Sequence, residues 1–184
     1  MTDAPDTELM RRAGTADDEA AFAVLVERYQ NILLNLFLRK GISYVDGEDL
    51  AQRTFLRLWR YRAKYSPQAK FTTFLFMLAM QEATDFFRAS QRRRNLEDGF
   101  AAEIEVAADE RRPDAGVAPQ DDDVRRAVAR LPEGLRDVVE LGVFQDLPYA
   151  EVAETLGIPK GTVKSRMFHA LKKLKEMFAD ERGH

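Results

Sequence analysis

The sequence of 184 residues predicts an all-α protein with two small helical domains joined by an acidic flexible linker. Apolar residues recur at intervals of three and four, as in Leu25, Tyr29 and Leu33, which is the spacing of one helix face. No stretch sustains the alternation of β-branched and polar residues that strands show. Charge is also sorted along the chain: residues 95–123 carry two bases and ten acids, whereas residues 21–94 carry thirteen bases and six acids. An acidic segment therefore separates two helical blocks.

The domain boundaries follow from this charge pattern. The acidic segment contains Pro113 and Pro119 and has no long apolar periodicity, which is typical of a linker that does not fold by itself. The predicted organisation is an N-terminal tail at 1–14, a first domain at 15–94, a linker at 95–120 and a second domain at 121–182.

The composition excludes several classes of site. The chain has no cysteine and two histidines, so disulfides and thiolate metal sites are excluded and a zinc site is not expected. We expect no cofactor and no metal. The N-terminus lacks the pattern of a signal peptide, and the most apolar run, 71–80, is far shorter than the roughly 20 residues of a membrane span. We therefore expect a cytoplasmic protein with no membrane insertion.

In the first block, residues 46–62 read as one amphipathic helix. Its core side is made of Leu50, Ala51, Phe55 and Leu58, and its other side carries Asp49, Gln52, Arg53, Leu56 and Arg60. A single exposed leucine is ordinary on a protein surface, but on this polar face it is also typical of an anchor for another protein. The pattern alone leaves both readings open.

Residues 71–94 form a second apolar segment that ends in a cluster of arginines, Arg88, Arg92, Arg93 and Arg94. The aromatic and aliphatic residues are those of a helix in a core. The arginines suit phosphate contacts, or a basic helix terminus favoured by the helix dipole.

The second block contains a helix-turn-helix pattern. A short helix over 149–156 is expected to end at Gly157, and a second helix to begin near Lys160. One side of the second helix is apolar: Val163, Met167, Ala170, Leu171, Leu174 and Phe178. The opposite side carries hydroxyls, bases and an imidazole, which suit the edges of bases in the major groove or equally a solvated basic face.

Residues 131–175, "LPEGLRDVVELGVFQDLPYAEVAETLGIPKGTVKSRMFHALKKLK", resemble region 4 of bacterial sigma-70 factors, most closely the extracytoplasmic-function (ECF) group. The complete "GTVKSR" motif is the most specific part. The resemblance implies contacts with the minus-thirty-five promoter element from Thr162, Lys164, Ser165, Arg166, Phe168, His169 and Lys172. His169 departs from the family, which often has arginine there, so a fixed charge is largely lost near pH 7.

The segments 21–29, 48–60 and 71–88 together resemble region 2 of the same factors. The resemblance implies that the second of them docks on core RNA polymerase through Asp49, Gln52, Leu56 and Arg60. Arg53 stands where an acid is usual, which inverts a charge on that face. Phosphorylation of Thr54 would restore negative charge, but the helical wheel places Thr54 on the core side.

Region 2 of the family also opens the minus-ten element and binds the exposed strand. The resemblance implies that the residues doing so are Tyr65, Lys70, Phe71, Thr73, Phe74, Gln81, Arg88 and Arg92, on the loop 64–72 and the helix after it. Phe74 stands where tryptophan is usual, Gln81 where asparagine is common and Met80 where arginine is common.

The predicted protein is therefore an ECF-type sigma factor and not an enzyme. Its expected partners are core RNA polymerase, promoter DNA as duplex and melted strand, and an anti-sigma factor. The acidic linker is expected to run through the channels of the polymerase or simply to aid solubility. Two alternatives stay open: a helix-turn-helix regulator that acts without polymerase, and a nuclease with Asp46, Glu48 and Asp49 as metal ligands.

Overall fold

The computed structural model describes residues 4–66, 70–97 and 122–181, and every regular element within those ranges is helical. The chain divides into two compact units. The first is built on α1 (Asp6–Ala16), α2 (Glu19–Arg39), α3 (Tyr44–Tyr61), a 3₁₀ turn (Arg62–Lys64) and α4 (Phe71–Glu97). The second is built on α5 (Asp122–Ala129), α6 (Glu133–Val139), a π-helical turn (Glu140–Phe144), α7 (Tyr149–Leu156) and α8 (Lys160–Glu181). The predicted all-α fold with two helical domains is confirmed. Residues 98–121, most of the predicted linker, lie outside the described residues.

The beginning of the chain differs from the sequence prediction. Residues 1–14 were predicted as a tail, but α1 is a helix of the first unit with Leu9, Met10 and Ala13 buried. Asp6 fixes this helix to α2, because its carboxylate accepts hydrogen bonds from Arg28 and Tyr29 at 2.5 Å each. The acidic composition of the segment concealed three apolar residues at helical spacing.

The core of the first unit is formed by the apolar faces of α1, α2, α3 and α4. The predicted core side of α3 is buried as expected: Leu50, Ala51, Phe55 and Leu58. Ser43 caps this helix by accepting a hydrogen bond from the backbone N–H of Asp46 at 3.2 Å. Gly41 provides the left-handed residue in the turn before α3, with φ at +83°.

In the second unit, α8 packs against α5, α6 and α7. Its contact side is Val163, Met167 and Ala170, all buried. Gly142, in the π-helical turn, allows a close approach, because a Cβ there would lie 2.7 Å from the Cε of Met167. The wider π-helical turn that follows α6 thus lies where Met167 of α8 comes close.

The helix-turn-helix has the local geometry that the sequence predicts. Gly157 ends α7 in the left-handed conformation, with φ at 64°. The N–H of Ile158 then donates to the carbonyl of Ala153 at 3.0 Å, which closes the end of the helix. Pro159 begins the next helix, since its carbonyl accepts from Thr162 and Val163.

Candidate functional site

The predicted docking face of α3 is a stripe of exposed side chains in the first unit. Asp49, Gln52, Leu56 and Arg60 are all exposed, and 55% of Leu56 is accessible to solvent. Val45, which is 70% exposed, extends the stripe by one turn towards the N-terminus of the helix. Sequence reasoning missed Val45, although its spacing of four from Asp49 and eleven from Leu56 places it on the same side. The stripe therefore has two apolar residues among polar ones.

An apolar groove lies beside this stripe, between α2 and α3. It has a volume of about 460 Å³ and is lined by Glu19, Phe22, Val26, Gln52, Phe55, Leu56 and Trp59. The rings of Phe22 and Trp59 meet edge to face, with centroids 4.9 Å apart, and the Cζ of Arg62 lies over the Trp59 ring, 3.8 Å from its centroid. Gln52 and Leu56 belong both to the stripe and to the groove, so the two form one continuous surface.

Arg53 has a structural partner that the sequence analysis did not anticipate. Its Nη2 lies 3.0 Å from Oε2 of Glu82 on α4, a carboxylate whose side chain is only 4% exposed. This contact is an ion pair without the angle of a hydrogen bond, since Oε2 has no hydrogen-bonding partner among the described residues. Half of the Arg53 side chain is exposed, and its guanidinium pairs with a carboxylate of the neighbouring helix α4.

Thr54 lies on the core side, as the helical wheel predicts. It is fully buried, and its Oγ1 donates a hydrogen bond to the carbonyl of Leu50 at 2.7 Å. A kinase would reach this hydroxyl only if the helix were displaced.

The predicted minus-ten residues fall into two groups. Lys70, Gln81, Arg88 and Arg92 are exposed, and Tyr65 and Phe74 are half-buried. Phe71 and Thr73, in contrast, are core residues, only 2% and 5% exposed, which does not fit direct contact with DNA. Both lie in the first turn of α4, where the helix turns its inner face to the core.

Phe71 belongs to an aromatic cluster that joins α2, the approach to α4 and α4 itself. The centroid of its ring lies 5.3 Å from that of Tyr29 and 6.5 Å from that of Tyr65. Tyr65 also contacts Phe74 at 6.0 Å. Burial, reinforced by the charge of Asp6, raises the pKa of Tyr65. The cluster fixes both ends of the loop, whose residues 67–69 lie outside the described residues.

On α8, the predicted DNA-reading residues form one accessible face. Lys164, Ser165, Phe168, His169 and Lys172 are exposed. Thr162 and Arg166 are half-buried at its margin. Phe168 is 67% exposed, and its ring meets that of His169 edge to face, with centroids 5.6 Å apart. An aromatic ring held this far out of a core is unusual and suits contact with a partner.

Two details of α8 differ from the sequence analysis. Leu171 was placed on the apolar side but is 51% exposed. Arg166 lies against α6: a Cβ at Gly134 would be 3.1 Å from its Nη1. Arg166 therefore packs within the unit as well as bordering the reading face.

The three acids proposed as nuclease ligands have local roles at the start of α3. Asp46 accepts a hydrogen bond from Ser43 at 2.7 Å, and Glu48 accepts one from Tyr44 at 3.0 Å. Asp49 lies 3.9 Å from Nη1 of Arg53, one turn further along the helix. In the part of the chain that the structure describes, no three His, Asp or Glu side chains come together in a way that would hold a metal ion.

Comparison with known proteins identifies two family matches. The sigma-70 region 2 family matches residues 25–93, and the sigma-70 region 4 family matches residues 121–174. The ECF RNA polymerase sigma factor RpoE of Cereibacter sphaeroides is 32% identical, over 96% of this chain and 98% of its own length. The chain belongs to the ECF sigma factors. It therefore binds RNA polymerase and directs transcription initiation at specific promoters.

Further relatives cover most of this ECF sigma factor. The ECF sigma-E factor of Haemophilus influenzae is 30% identical over 83% of this chain and 85% of its own. Two solved structures share the fold. RpoE of Bartonella quintana, solved with the anti-sigma factor NepR, has a TM-score of 0.73 at 21% identity and covers 86% of this chain and 96% of that one. CnrH, solved with the cytosolic domain of CnrY, has a TM-score of 0.72 at 22% identity and covers 95% and 97%.

None of the helices in the described ranges has the length and apolar character needed to cross a membrane.

Proposed function

We propose that the two units of this sigma factor divide the work of initiation between three surfaces. The stripe on α3 docks on core RNA polymerase, the exposed residues of α4 and of the loop before it bind the minus-ten element, and the exposed face of α8 reads the minus-thirty-five element. The observation that carries this assignment is that each of the three surfaces presents a group of solvent-exposed side chains.

The docking assignment is supported by the mixture of side chains on α3. Val45 and Leu56 provide apolar area at 70% and 55% exposure, and Asp49, Gln52 and Arg60 surround them with polar groups. A small apolar centre with a polar rim is the usual anatomy of a protein interface. Leu56 also borders the groove, so a partner residue that covers it buries area on both sides.

The minus-thirty-five assignment is supported by the chemistry of the α8 face. Lys164 and Lys172 can neutralise phosphates, Ser165 can bond to phosphates or base edges, and Phe168 can pack on a thymine methyl group. His169 is exposed next to Phe168, so it can also reach DNA.

The minus-ten assignment now rests on fewer residues. Lys70, Gln81, Arg88 and Arg92 are the exposed candidates, and Tyr65 and Phe74 present partly covered rings on which a base can stack. Phe71 and Thr73 support these residues from the core instead of touching DNA.

We also propose that this protein acts in the cytoplasm and is not an enzyme. We further propose that an anti-sigma factor regulates it. The solved relatives RpoE and CnrH carry NepR and CnrY as partners. On this chain, the groove beside α3 shares Gln52 and Leu56 with the docking stripe. A partner that fills the groove would therefore exclude the polymerase by direct competition.

The docking assignment is tested by Leu56→Glu, which puts a charge at the centre of the stripe. The variant is expected to lose core RNA polymerase in co-purification, while keeping wild-type helicity in circular dichroism. Tyr61→Glu is the matched control, because Tyr61 is 44% exposed on the same helix but on the opposite side from the stripe. If Leu56→Glu still co-purifies with polymerase as Tyr61→Glu does, the stripe is not the docking face.

A further inference from the structure

A chain of three polar side chains joins the docking helix to the minus-ten surface. Arg57 on α3 donates from Nη1 to Oε1 of Glu82 at 2.9 Å, and from Nη2 to Oε1 of Gln81 at 2.8 Å. Glu82 is buried, whereas Gln81, the next residue on α4, is exposed. One guanidinium thus bridges a buried carboxylate and an exposed amide.

The guanidinium is held firmly at this place. Only 4% of the Glu82 side chain is exposed. A buried carboxylate destabilises the folded state unless cations lie beside it. Among the residues that the structure describes, Arg57 and Arg53 contact it, at 2.9 Å and 3.0 Å. Because Arg57 is needed beside Glu82, its second nitrogen is fixed next to Gln81.

This arrangement determines which way the Gln81 amide faces. A guanidinium has five N–H donors and no acceptor, so only the carbonyl oxygen of the amide can be satisfied against it. Arg57 then occupies the carbonyl oxygen of Gln81, and the amide nitrogen is the group of this exposed side chain that is left to donate to a partner. Without Arg57, the amide of an exposed glutamine could rotate and offer either its oxygen or its nitrogen.

We infer that Arg57 is a positioning residue for promoter specificity, which fixes Gln81 as a hydrogen-bond donor to an acceptor atom on a base of the minus-ten element. This inference rests on the proposed role of α4. A freely rotating glutamine pairs with adenine through both its oxygen and its nitrogen. Towards a base that is still paired, a glutamine fixed by Arg57 presents the nitrogen, so it favours guanine O6 and N7, adenine N7 or thymine O4 on the major-groove edge. It disfavours cytosine, whose N4 is itself a donor there.

The experiment is transcription in vitro with core RNA polymerase, the full chain and templates that carry each of the four bases at each minus-ten position. Gln81→Ala first identifies the position whose base preference depends on Gln81. Losing one oriented hydrogen bond is expected to reduce the preference at that position about five-fold. Gln81→Glu replaces the outward donor by an acceptor and is expected to shift the preference towards cytosine.

Removing Arg57 alone would leave Glu82 underpaired, so the comparison is made in a Glu82→Gln background. Glu82→Gln keeps an oxygen for Arg57 and is expected to retain the base preference. The double variant Arg57→Met with Glu82→Gln is expected to lose it, again about five-fold, at the Gln81-dependent position only. Circular dichroism on both proteins confirms equal helicity.

Two results would overturn the inference. The first is a double variant that lowers transcription equally from every template, since this would make Arg57 a merely structural residue. The second is a Gln81→Ala variant with unchanged preferences at all positions. In both cases promoter-dependent transcription by the wild-type chain would still support the proposed function. Absence of that transcription would instead overturn the proposed function and the inference together.

Discussion

Gly14 shows how one atom can decide packing in the first unit. It lies inside α1, where an added Cβ would be 2.4 Å from the backbone oxygen of Arg62. Alanine in a helix is usually more stable than glycine by roughly 0.5–1 kcal/mol. Here the sign is expected to reverse, because a backbone carbonyl cannot rotate away as a side chain can.

We predict that Gly14→Ala destabilises the first unit by about 1–3 kcal/mol, the range of overpacking in a filled core. Urea unfolding followed by circular dichroism measures the change. Gly161→Ala is the control: an added Cβ at Gly161, in the first turn of α8, has nothing within 4 Å, so its stability should be unchanged or slightly higher. A Gly14→Ala protein as stable as Gly161→Ala would mean that α1 does not press on the 3₁₀ turn.

Tyr29 makes the stability of the same unit sensitive to alkaline pH. Burial, followed by the hydrogen bond to Asp6, raises the pKa of its hydroxyl well above the ordinary value of 10.0. In the unfolded chain the hydroxyl ionises near pH 10, whereas in the folded protein it stays neutral. The folded state therefore binds the proton more tightly, and stability is lost as the pH rises above 10.

We predict that Tyr29→Phe weakens this pH dependence. Its free energy of unfolding should be lower than that of the wild type at pH 8, because the bond to Asp6 is lost, but should fall less steeply above pH 10. Chemical unfolding at a series of pH values gives the slope. An equal slope in both proteins would show that Tyr29 ionises in the folded state as it does in the unfolded chain.

At the scale of helices, local signals in the sequence predicted the helix-turn-helix closely. Gly157 and Pro159 set the end of α7 and the start of α8 at the predicted residues, because a left-handed glycine and a proline act on the backbone directly. The core side of α3 was equally predictable. Burial at the margins of helices was not predictable in this way. The exposure of Phe71, Thr73 and Leu171 depends on which neighbouring helix covers them, and a helical wheel does not include neighbouring helices.

The pairing between helices was also beyond the sequence. Arg53 departs from the usual acid of its family, and only the structure supplies its partner, Glu82, on α4. The two residues are 29 positions apart in sequence and lie on different helices, so the periodicity of a single helix could not predict their contact. The groove beside α3 could not be predicted either, because it depends on how α2, which provides Phe22 and Val26, packs against α3.

The reading face of α8 allows a prediction at the same scale. Lys164 is exposed at the start of this face, whereas Arg166 also packs against Gly134. Lys164→Ala should therefore remove a phosphate contact without loosening the fold. Its affinity for a minus-thirty-five duplex is expected to depend less on salt, with the logarithmic slope reduced by about 0.9.

Titration of that duplex at several salt concentrations measures the slope. Lys70→Ala, which removes a lysine from the first unit, should leave the slope as in the wild type. An unchanged slope for Lys164→Ala would remove Lys164 from the DNA interface, and the face would then act through its remaining residues.

At the scale of the whole molecule, the charge distribution matches a protein with several partners. The net charge of −3 conceals an acidic segment of ten acids and two bases at 95–123 between two basic blocks. Under the proposed division of surfaces, two units that each contact the promoter gain affinity when one chain carries both, because the second contact becomes intramolecular. The proposed docking on the polymerase adds a third contact, so we expect promoter selection to depend on the complete assembly.

The central claim is that this chain directs core RNA polymerase to promoters through both units. It is tested most directly by run-off transcription of genomic templates with core polymerase, with and without the full chain. We predict discrete transcripts that require the chain and disappear with Leu56→Glu. Specific binding of the chain to duplex DNA, with no chain-dependent transcript from any template, would contradict the claim and indicate a regulator that acts without polymerase docking.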